Sequence, residues 1–277
     1  MNTCPLELKR LYREGRVLPF VGAGVSMSVS WEVDGEPTRG PSWTEMVNQA
    51  ARILGYDDPE LLRMRGSDLQ ILEYFRVRKK NFAPLINWMV MRLSSAPEDA
   101  IKESTLHSAL ASLSESRIFY TTNYDDFLER SFVAAGRKPS VITSEEDMGM
   151  GDACQIVKFH GDFNNPDAMV MSEGHYYSRM RLDGPMDLKL RSDLFGRAVL
   201  FVGYSFRDIN IAYLFRTVNE MFRKLPNSFS GRRAYIIVRN PSDFEIRLFH
   251  ERNIEVIPAL GDDQTASAAE ILNDMAS

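Results

Sequence analysis

Short apolar segments alternate with helical segments along most of the chain, and this alternation limits the fold more than any other feature. The apolar segments RVLPFV, RIFYTT, VLFVG and AYIIV are each followed by a polar loop or by a stretch with helical periodicity. Strands that alternate with helices in this way form parallel sheets through right-handed crossover connections. We therefore expect an α/β fold with a Rossmann-like, mostly parallel sheet flanked by helices.

Residues 41–113 interrupt the alternation, because helical periodicity runs through the whole stretch. The stretch is apolar and rich in aromatic residues such as Phe75, Phe82 and Trp88, and the sheet does not require it. We interpret residues 1–277 as a single domain with a helical insertion subdomain over about 41–113. The insertion is our candidate interface with a second copy of the chain or with a partner protein.

Charge and composition exclude several classes of protein. The net charge is −5, so no overall basic field would attract nucleic acid or an anionic membrane. No apolar run approaches the roughly 18 residues that a membrane-spanning helix needs, and the N-terminal segment lacks the apolar core of a signal peptide. Cys4 and Cys154 form no CxxC pair, which favours a reducing compartment, the cytoplasm, and argues against a structural zinc site or another bound metal.

The segment PFVGAGVS contains the clearest single motif, Gly22-Ala23-Gly24. Its glycines let backbone N–H groups approach a diphosphate at a helix N-terminus, where the helix dipole favours anions. The dinucleotide fingerprint of dehydrogenases is incomplete, because Met27 stands at the third glycine position and Asp34 and Glu36 lie in VDGEPTRGP (33–41), an expected loop, and not at a strand end. A tight turn without a ligand remains an open alternative for this segment alone.

Polar residues follow four of the predicted strands at the point where each strand ends. These strand ends read GAGVS (22–26), TTNYDD (121–126), HGD (160–162) and GYSFRD (203–208). Taken singly, Asn123 has an ordinary explanation as a turn residue, His160 as a hydrogen-bonded loop histidine, and Ser205 as a helix N-cap. Because the carboxyl ends of parallel strands share one edge of a sheet, the four together predict a nucleotide-binding crevice there.

The four motifs resemble, in order and rough spacing, the sirtuin motifs GAGxS, TxNxDxL, HG and GxS. The resemblance runs from about residue 17 to 258 and is greatest to the sirtuin-like domains of bacterial anti-phage defence proteins, which also carry P-S-W before the first long helix. Two features of deacylating sirtuins are missing. No paired CxxC zinc module follows the HG, and MSVSWEVDGEP replaces the GIPDFR-like segment.

The resemblance implies that NAD binds as a substrate, without a metal cofactor. Asn123 would orient a water molecule or the nicotinamide ribose, and Asp125 would lie near the nicotinamide carboxamide. His160, expected to titrate near neutrality, would act as the general base. The implied cofactor-binding residues are Gly22, Ala23, Gly24, Ser26, Thr122, Gly203, Ser205 and Asn240. The residues from Gly22 to Ser26 would hold the diphosphate. Gly203 and Ser205 would contact phosphate or the adenosine-side ribose, and Asn240 would hold that ribose.

These residues favour an NAD glycohydrolase that gives nicotinamide and ADP-ribose, with cyclic ADP-ribose as an open product variant. The resemblance further implies a NAD-depleting effector in antiviral abortive infection, controlled by homo-oligomerisation or by a partner protein that senses infection. A non-catalytic module that senses NAD or ADP-ribose is the main alternative. A protein deacylase or ADP-ribosyltransferase is a third, against which the missing zinc module argues.

Three further features have structural explanations that compete with functional ones. His107 lies in an amphipathic helix, and we expect it to be structural. His175, in EGHYYSRM, is expected either to cover the site or to pack. The cluster RVRKK at 76–80 is expected to be a solvated helix face, with a partner or nucleic-acid contact as the alternative.

Overall fold

The computed structural model describes residues 3–149, 154–179, 183–204 and 233–277. The strands in these ranges are β1 (Val17–Val21), β2 (Ser30–Val33), β3 (Glu36–Arg39), β4 (Ile118–Thr121), β5 (Ser140–Ile142), β6 (Gln155–Lys158), β7 (Ala198–Val202), β8 (Ala234–Arg239) and β9 (Ile254–Ala259). The predicted site residue Ser205 lies outside the described residues.

The helices of the described ranges fall into two groups, those around the sheet and those of the predicted insertion. They are α1 (Leu6–Arg13), α2 (Ala23–Ser26), α3 (Trp43–Ile53), α4 (Glu60–Arg63), α5 (Asp68–Lys79), α6 (Ala83–Ser94), α7 (Glu98–Glu103), α8 (Thr105–Ala111), α9 (Phe127–Ala134), α10 (Glu173–Arg179), α11 (Pro185–Asp193), α12 (Asp243–Glu251) and α13 (Gln264–Ala276).

Seven strands form one parallel sheet in the order β5-β6-β4-β1-β7-β8-β9. Strand β1 is central, and Phe20 lies between Tyr120 of β4 and Phe201 of β7. Strands β4 to β6 form the half of the sheet on one side of β1, and the later strands β7 to β9 form the half on the other side. The strand order therefore reverses at β1, which is where open α/β sheets bind their ligands. The predicted Rossmann-like parallel sheet is confirmed.

Both faces of the sheet are buried, so most residues of the strands are apolar. Leu18 and Phe20 of β1 point into a core that includes side chains of α11 and α12. Val17 and Val21 point into the opposite core, which includes side chains of α1, α8, α9 and α13. The result is a sheet between two helical layers, which is why the strand segments read as continuous apolar runs.

Helices α3 to α8 occupy the stretch in which the insertion was predicted. Helices α3 to α7 share a third hydrophobic core, in which Leu72, Phe75 and Leu85 are fully buried, whereas α8 packs into the core on the sheet. Phe127 and Met171, from outside the stretch, pack into the same core and attach it to the sheet. Its role as an interface stays a prediction.

Residues 30–39 are a hairpin, so our expectation of a loop across 33–41 is wrong. Strands β2 and β3 pair antiparallel around Asp34 and Gly35, which both have positive φ, at 53° and 82°. An Asp-Gly pair favours this kind of two-residue turn, and that signal was present in the sequence. Trp31 of the hairpin is buried, and its Nε1 donates to Ser95 Oγ at 3.0 Å.

Candidate active site

The glycine turn after β1 packs backbone against backbone with the turn after β7. The Gly22 N–H donates to the Val202 carbonyl and the Gly24 N–H to the Gly203 carbonyl, both at 2.9 Å. A Cβ on Gly24 would lie 2.7 Å from the Gly203 oxygen. Gly203 has φ +77°, and a Cβ there would lie 2.7 Å from the Val25 nitrogen. Close approach of two chain segments is therefore the structural reason for these glycines.

We expected the amides of Gly22 and Gly24 to hold a diphosphate, but both are already paired within the protein. Ala23, between the two glycines, is exposed and lines two neighbouring cavities. Contact between this turn and a diphosphate stays a prediction, and Ala23 is the residue placed to make it.

The side chain of Asn123 is held in place through the NH₂ group of its amide. Its Nδ2 donates to the Gly22 carbonyl at 3.1 Å and to Ser26 Oγ at 2.9 Å, and its own N–H donates to Thr121 Oγ1 at 3.0 Å. Because a carbonyl can only accept, the NH₂ group must face Gly22, and this fixes the orientation of the amide. Asn123 Oδ1 is then buried with no hydrogen-bond partner among the described residues.

A buried acceptor without a partner costs about 1–3 kcal/mol, so Asn123 Oδ1 marks a place where a ligand hydroxyl or a water would bind. The oxygen belongs to a residue that lines a cavity at the carboxyl edge of the sheet.

Asp125 lines the same cavity and is tied to its surroundings. One carboxyl oxygen accepts from the Phe127 N–H at 3.2 Å at the start of α9, and Ser26 hydrogen bonds to the carboxyl group. Burial raises the pKa of Asp125, and the charge of Lys158 opposes that effect. Ser26 therefore holds Asn123 and Asp125 in place, in addition to the ligand contact predicted for it.

His160 follows β6 and is 8% exposed. Its ring meets Tyr176 edge-on, with the ring centroids 5.4 Å apart. Burial, together with the nearby charge of Arg179, lowers the pKa of His160 to about 3. Our expectation of titration near neutrality is therefore wrong. The imidazole is unprotonated at neutral pH, which is the form that accepts a proton.

Two adjoining cavities form a cleft at this edge of the sheet. The first, of about 100 Å³, brings together Thr122, Asn123, Asp125 and His160. Its apolar wall comes from helices α3 and α6 of the insertion and from Tyr176 of α10. His175 does not line this cavity. It packs edge-on against Phe82 and accepts from the Met171 N–H, as its packing alternative predicted.

The second cavity, of about 420 Å³, lies against the ends of β7 and β8 and includes Gly24 and Gly203 in its wall. It shares Ala23, Ser42 and Trp43 with the first cavity. The two cavities are therefore compartments of one cleft that meet beside the glycine turn.

Two predicted site residues lie apart from the cavity walls. Gly22 lies beneath the Tyr204 ring, where an added Cβ would come within 2.5 Å of the ring. Asn240 is exposed at the end of β8 with φ +40°, next to Arg239, which does line the second cavity. Ligand contact by either residue stays a prediction.

Tyr204, Trp43 and Arg239 are among the cleft residues that were not assigned to the site from the sequence. Tyr204 donates from its hydroxyl to the Val21 carbonyl at 2.9 Å and hydrogen bonds to Thr122 Oγ1 at 3.1 Å. Trp43 and Arg239 line the cavities. The available signals in the sequence were the position of Trp43 within P-S-W and that of Arg239 directly before Asn240.

Within the described ranges, no three His, Cys, Asp or Glu side chains are grouped so that they could hold a metal ion. None of the helices in those ranges is both long and apolar enough to span a bilayer.

Comparison with known proteins relates this cleft to a family. The chain is 27% identical over 237 residues to "NAD(+) hydrolase ThsA" of Cytobacillus dafuensis, an alignment covering 84% of this chain and 42% of that protein. It is 25% identical over 240 residues to the protein of the same name from Bacillus cereus strain MSX-D12, covering 83% and 46% of the two chains. "Defense-associated sirtuin 2" of Bacillus subtilis is 24% identical over 92% of this chain and 24% of its own length.

The chain thus spans less than half the length of these curated relatives. A solved Sir2 enzyme structure aligns with 98% of the chain and 96% of its own length, at 13% identity and a TM-score of 0.42. The model of the family described as "SIR2-like domain" matches residues 117–257, half of the chain. The predicted sirtuin relationship is confirmed, and the chain belongs to the SIR2-like domain family.

Proposed function

We propose that this protein is an NAD glycohydrolase, which cleaves the bond between nicotinamide and ribose to give nicotinamide and ADP-ribose. The observation that carries the proposal is the convergence of Asn123, Asp125 and His160 on one cavity, with the Asn123 acceptor buried and unpartnered among the described residues. The names of the ThsA relatives support the same reaction.

The reaction needs few protein groups. The bond between ribose C1′ and the nicotinamide nitrogen breaks, and its electron pair neutralises the pyridinium ring. Water adds to the ribose cation at C1′ and releases one proton, so NAD⁺ and water give nicotinamide, ADP-ribose and H⁺. In our proposal Asn123 Oδ1 accepts from a ribose hydroxyl or from the water, and the His160 imidazole accepts the proton.

A pKa of about 3 makes His160 a weak base. That weakness is tolerable here, because water bound to a carbocation is strongly acidic and its proton transfers readily. An anionic Asp125 would favour the developing positive charge on the ribose.

We propose one orientation for NAD in the cleft. We place the nicotinamide end in the first cavity, beside Asn123 and His160, and the adenosine end in the second, beside Arg239. The diphosphate then passes the exposed Ala23, where the two cavities meet.

In the cell we propose that the activity depletes NAD in the cytoplasm during antiviral abortive infection. The name of the Bacillus subtilis relative supports a defence role, and the two free cysteines fit a reducing compartment. We further propose that a second copy of the chain or an infection-sensing partner controls the activity. The insertion supports this part, since Leu61, Met64, Val77 and Met91 are exposed on its helices.

The test is to incubate the purified protein with NAD and to identify the products by chromatography, alone and with lysate of infected cells. We expect nicotinamide and ADP-ribose, with a loss of at least ~100-fold in rate for Asn123→Ala and for His160→Ala. Asn273→Ala and His250→Ala, at exposed positions on α13 and α12, are the matched controls. Tight binding of ADP-ribose without any turnover would instead support the sensing module.

A further inference from the structure

A buried lysine lies directly behind the candidate active site. Lys158 is the last residue of β6, and its side chain is 2% exposed. Its ammonium group lies 3.2 Å from the Tyr124 carbonyl, 2.6 Å from the Asp125 carbonyl and 2.9 Å from Glu129 Oε1. An ammonium group has three protons, so these three acceptors satisfy it completely.

The three acceptors belong to the segment that carries the site. Tyr124 and Asp125 directly follow Asn123, and Glu129 lies in the first turn of α9. Lys158 itself is two residues before His160. One ammonium group therefore joins the loop of Asn123 and Asp125 to the end of β6, two residues before His160.

Burying such a pair is costly, and an apolar pair of similar volume often stabilises a protein as well or better. This pair is also incompletely satisfied, because Glu129 Oε2 is buried without a hydrogen-bond partner among the described residues. Stability alone is therefore a poor explanation for a lysine at this position. A fixed orientation of two loop carbonyls is something that an apolar side chain cannot provide.

We propose that Lys158 is a positioning residue, whose ammonium group fixes the Asn123–Asp125 loop relative to His160. The expected effect on catalysis rests on the proposed function, whereas the positioning of the loop rests on the contacts of Lys158 alone. The charge of Lys158 has a second effect on the site, because it lowers the pKa of Asp125 against the effect of burial.

The experiment compares Lys158→Met with Lys189→Met. Lys189 lies on α11, donates to Gln155 at the opposite end of β6 at 3.1 Å, and pairs with Asp193 at 2.9 Å. Its side chain is also mostly buried, at 14% exposed, so this variant matches the loss of a buried lysine without touching the site.

We expect Lys158→Met to lower kcat for NAD hydrolysis about 100-fold relative to Lys189→Met, because small misplacements of catalytic groups have effects of that size. KM for NAD should stay within about 3-fold, since the walls supplied by α3, by α6 and by the second cavity make no contact with Lys158. Glu129→Gln keeps the carbonyl contacts and should retain most of kcat. Equal kcat values for the two methionine variants would overturn the proposal.

Hydrogen–deuterium exchange separates this inference from the proposed function. In Lys158→Met the hydrogen-bonded amides of Thr122, Asn123 and Phe127 should exchange at least about 10-fold faster than in Lys189→Met, whether or not the protein hydrolyses NAD. Unchanged exchange would refute the positioning role, whereas a wild-type protein without hydrolysis refutes the proposed function alone. If Lys158→Met does not fold, the wild type decides: without ligand, the amides of Thr122, Asn123 and Phe127 must be protected like those of β4, and fast exchange there counts against the proposal.

Discussion

At the scale of single residues, the site depends on an amide whose two ends have opposite surroundings. Asn123 Nδ2 is bound by Gly22 and Ser26, while Oδ1 has no partner among the described residues. Rotation of the amide would break both Nδ2 contacts, so the acceptor is oriented before any substrate arrives. The free energy needed to orient it is therefore part of folding and does not weaken substrate binding.

A buried histidine away from the reaction allows a test of how burial controls titration. His107 is 1% exposed, its Nδ1 hydrogen bonds to Ser104 Oγ at 2.8 Å, and burial lowers its pKa to about 4. Below about pH 6.5 the unfolded chain binds a proton that folded His107 does not bind. Acidification from pH 7 to pH 5 should therefore lower the free energy of unfolding by about 2 kcal/mol through this residue.

Urea unfolding of the wild type and of His107→Asn between pH 5 and pH 7 measures this contribution. The variant should show the weaker fall in stability on acidification, and equal slopes would contradict the assignment. Asp125 and Glu129, whose pKa values burial raises, act with the opposite sign in both proteins. The difference between the two slopes therefore isolates His107.

At the scale of elements, the site is a joint product of the sheet and the insertion. The sheet supplies the polar residues after β1, β4 and β6, and helices α3 and α6 supply apolar side chains opposite them. Trp43, the first residue of α3, lies where the two cavities meet. The insertion is thus part of the wall of the cleft and not only an appendage of the sheet.

Trp43 should therefore report on ligand binding. Addition of ADP-ribose should change the tryptophan emission of the wild type, because the ligand alters the polarity around an indole that lines both cavities. Trp43→Phe should abolish the change and Trp88→Phe should retain it, since Trp88 does not line either cavity. A full emission change in Trp43→Phe would place the ligand elsewhere.

At the scale of the whole molecule, the parts that could be predicted are those encoded by local pattern. Apolar runs located the strands of the sheet, and the strand ends located Asn123, Asp125 and His160 near one another. Features that depend on contacts between distant segments were missed. The pairing of Gly24 with Gly203 and the low pKa of His160 arise from such contacts, and neither leaves a local signature. The hairpin at Asp34-Gly35 was missed for another reason, because its turn signal was attributed to a loop.

A ligand that binds only the folded chain should stabilise the entire molecule. ADP-ribose at about 100 times its Kd should raise the melting temperature by about 5 °C, since binding of that strength adds about 2.7 kcal/mol. Arg239→Ala should reduce this rise, because Arg239 lines the proposed adenosine side of the cleft. Arg247→Ala, an exposed control that loses a pair with Asp243, should retain it. An equal rise in both variants would exclude Arg239 from the binding site.

The contact between the two glycine turns also limits how this protein can evolve. A side chain at Gly24 meets the main chain of Gly203, and a side chain at Gly203 meets the main chain of Val25. Main-chain atoms are the same in every amino acid, so no exchange elsewhere in the sequence can make room. Substitutions that adapt the site to a new ligand are therefore possible along the cavity walls, but not where the turns after β1 and β7 pack against each other.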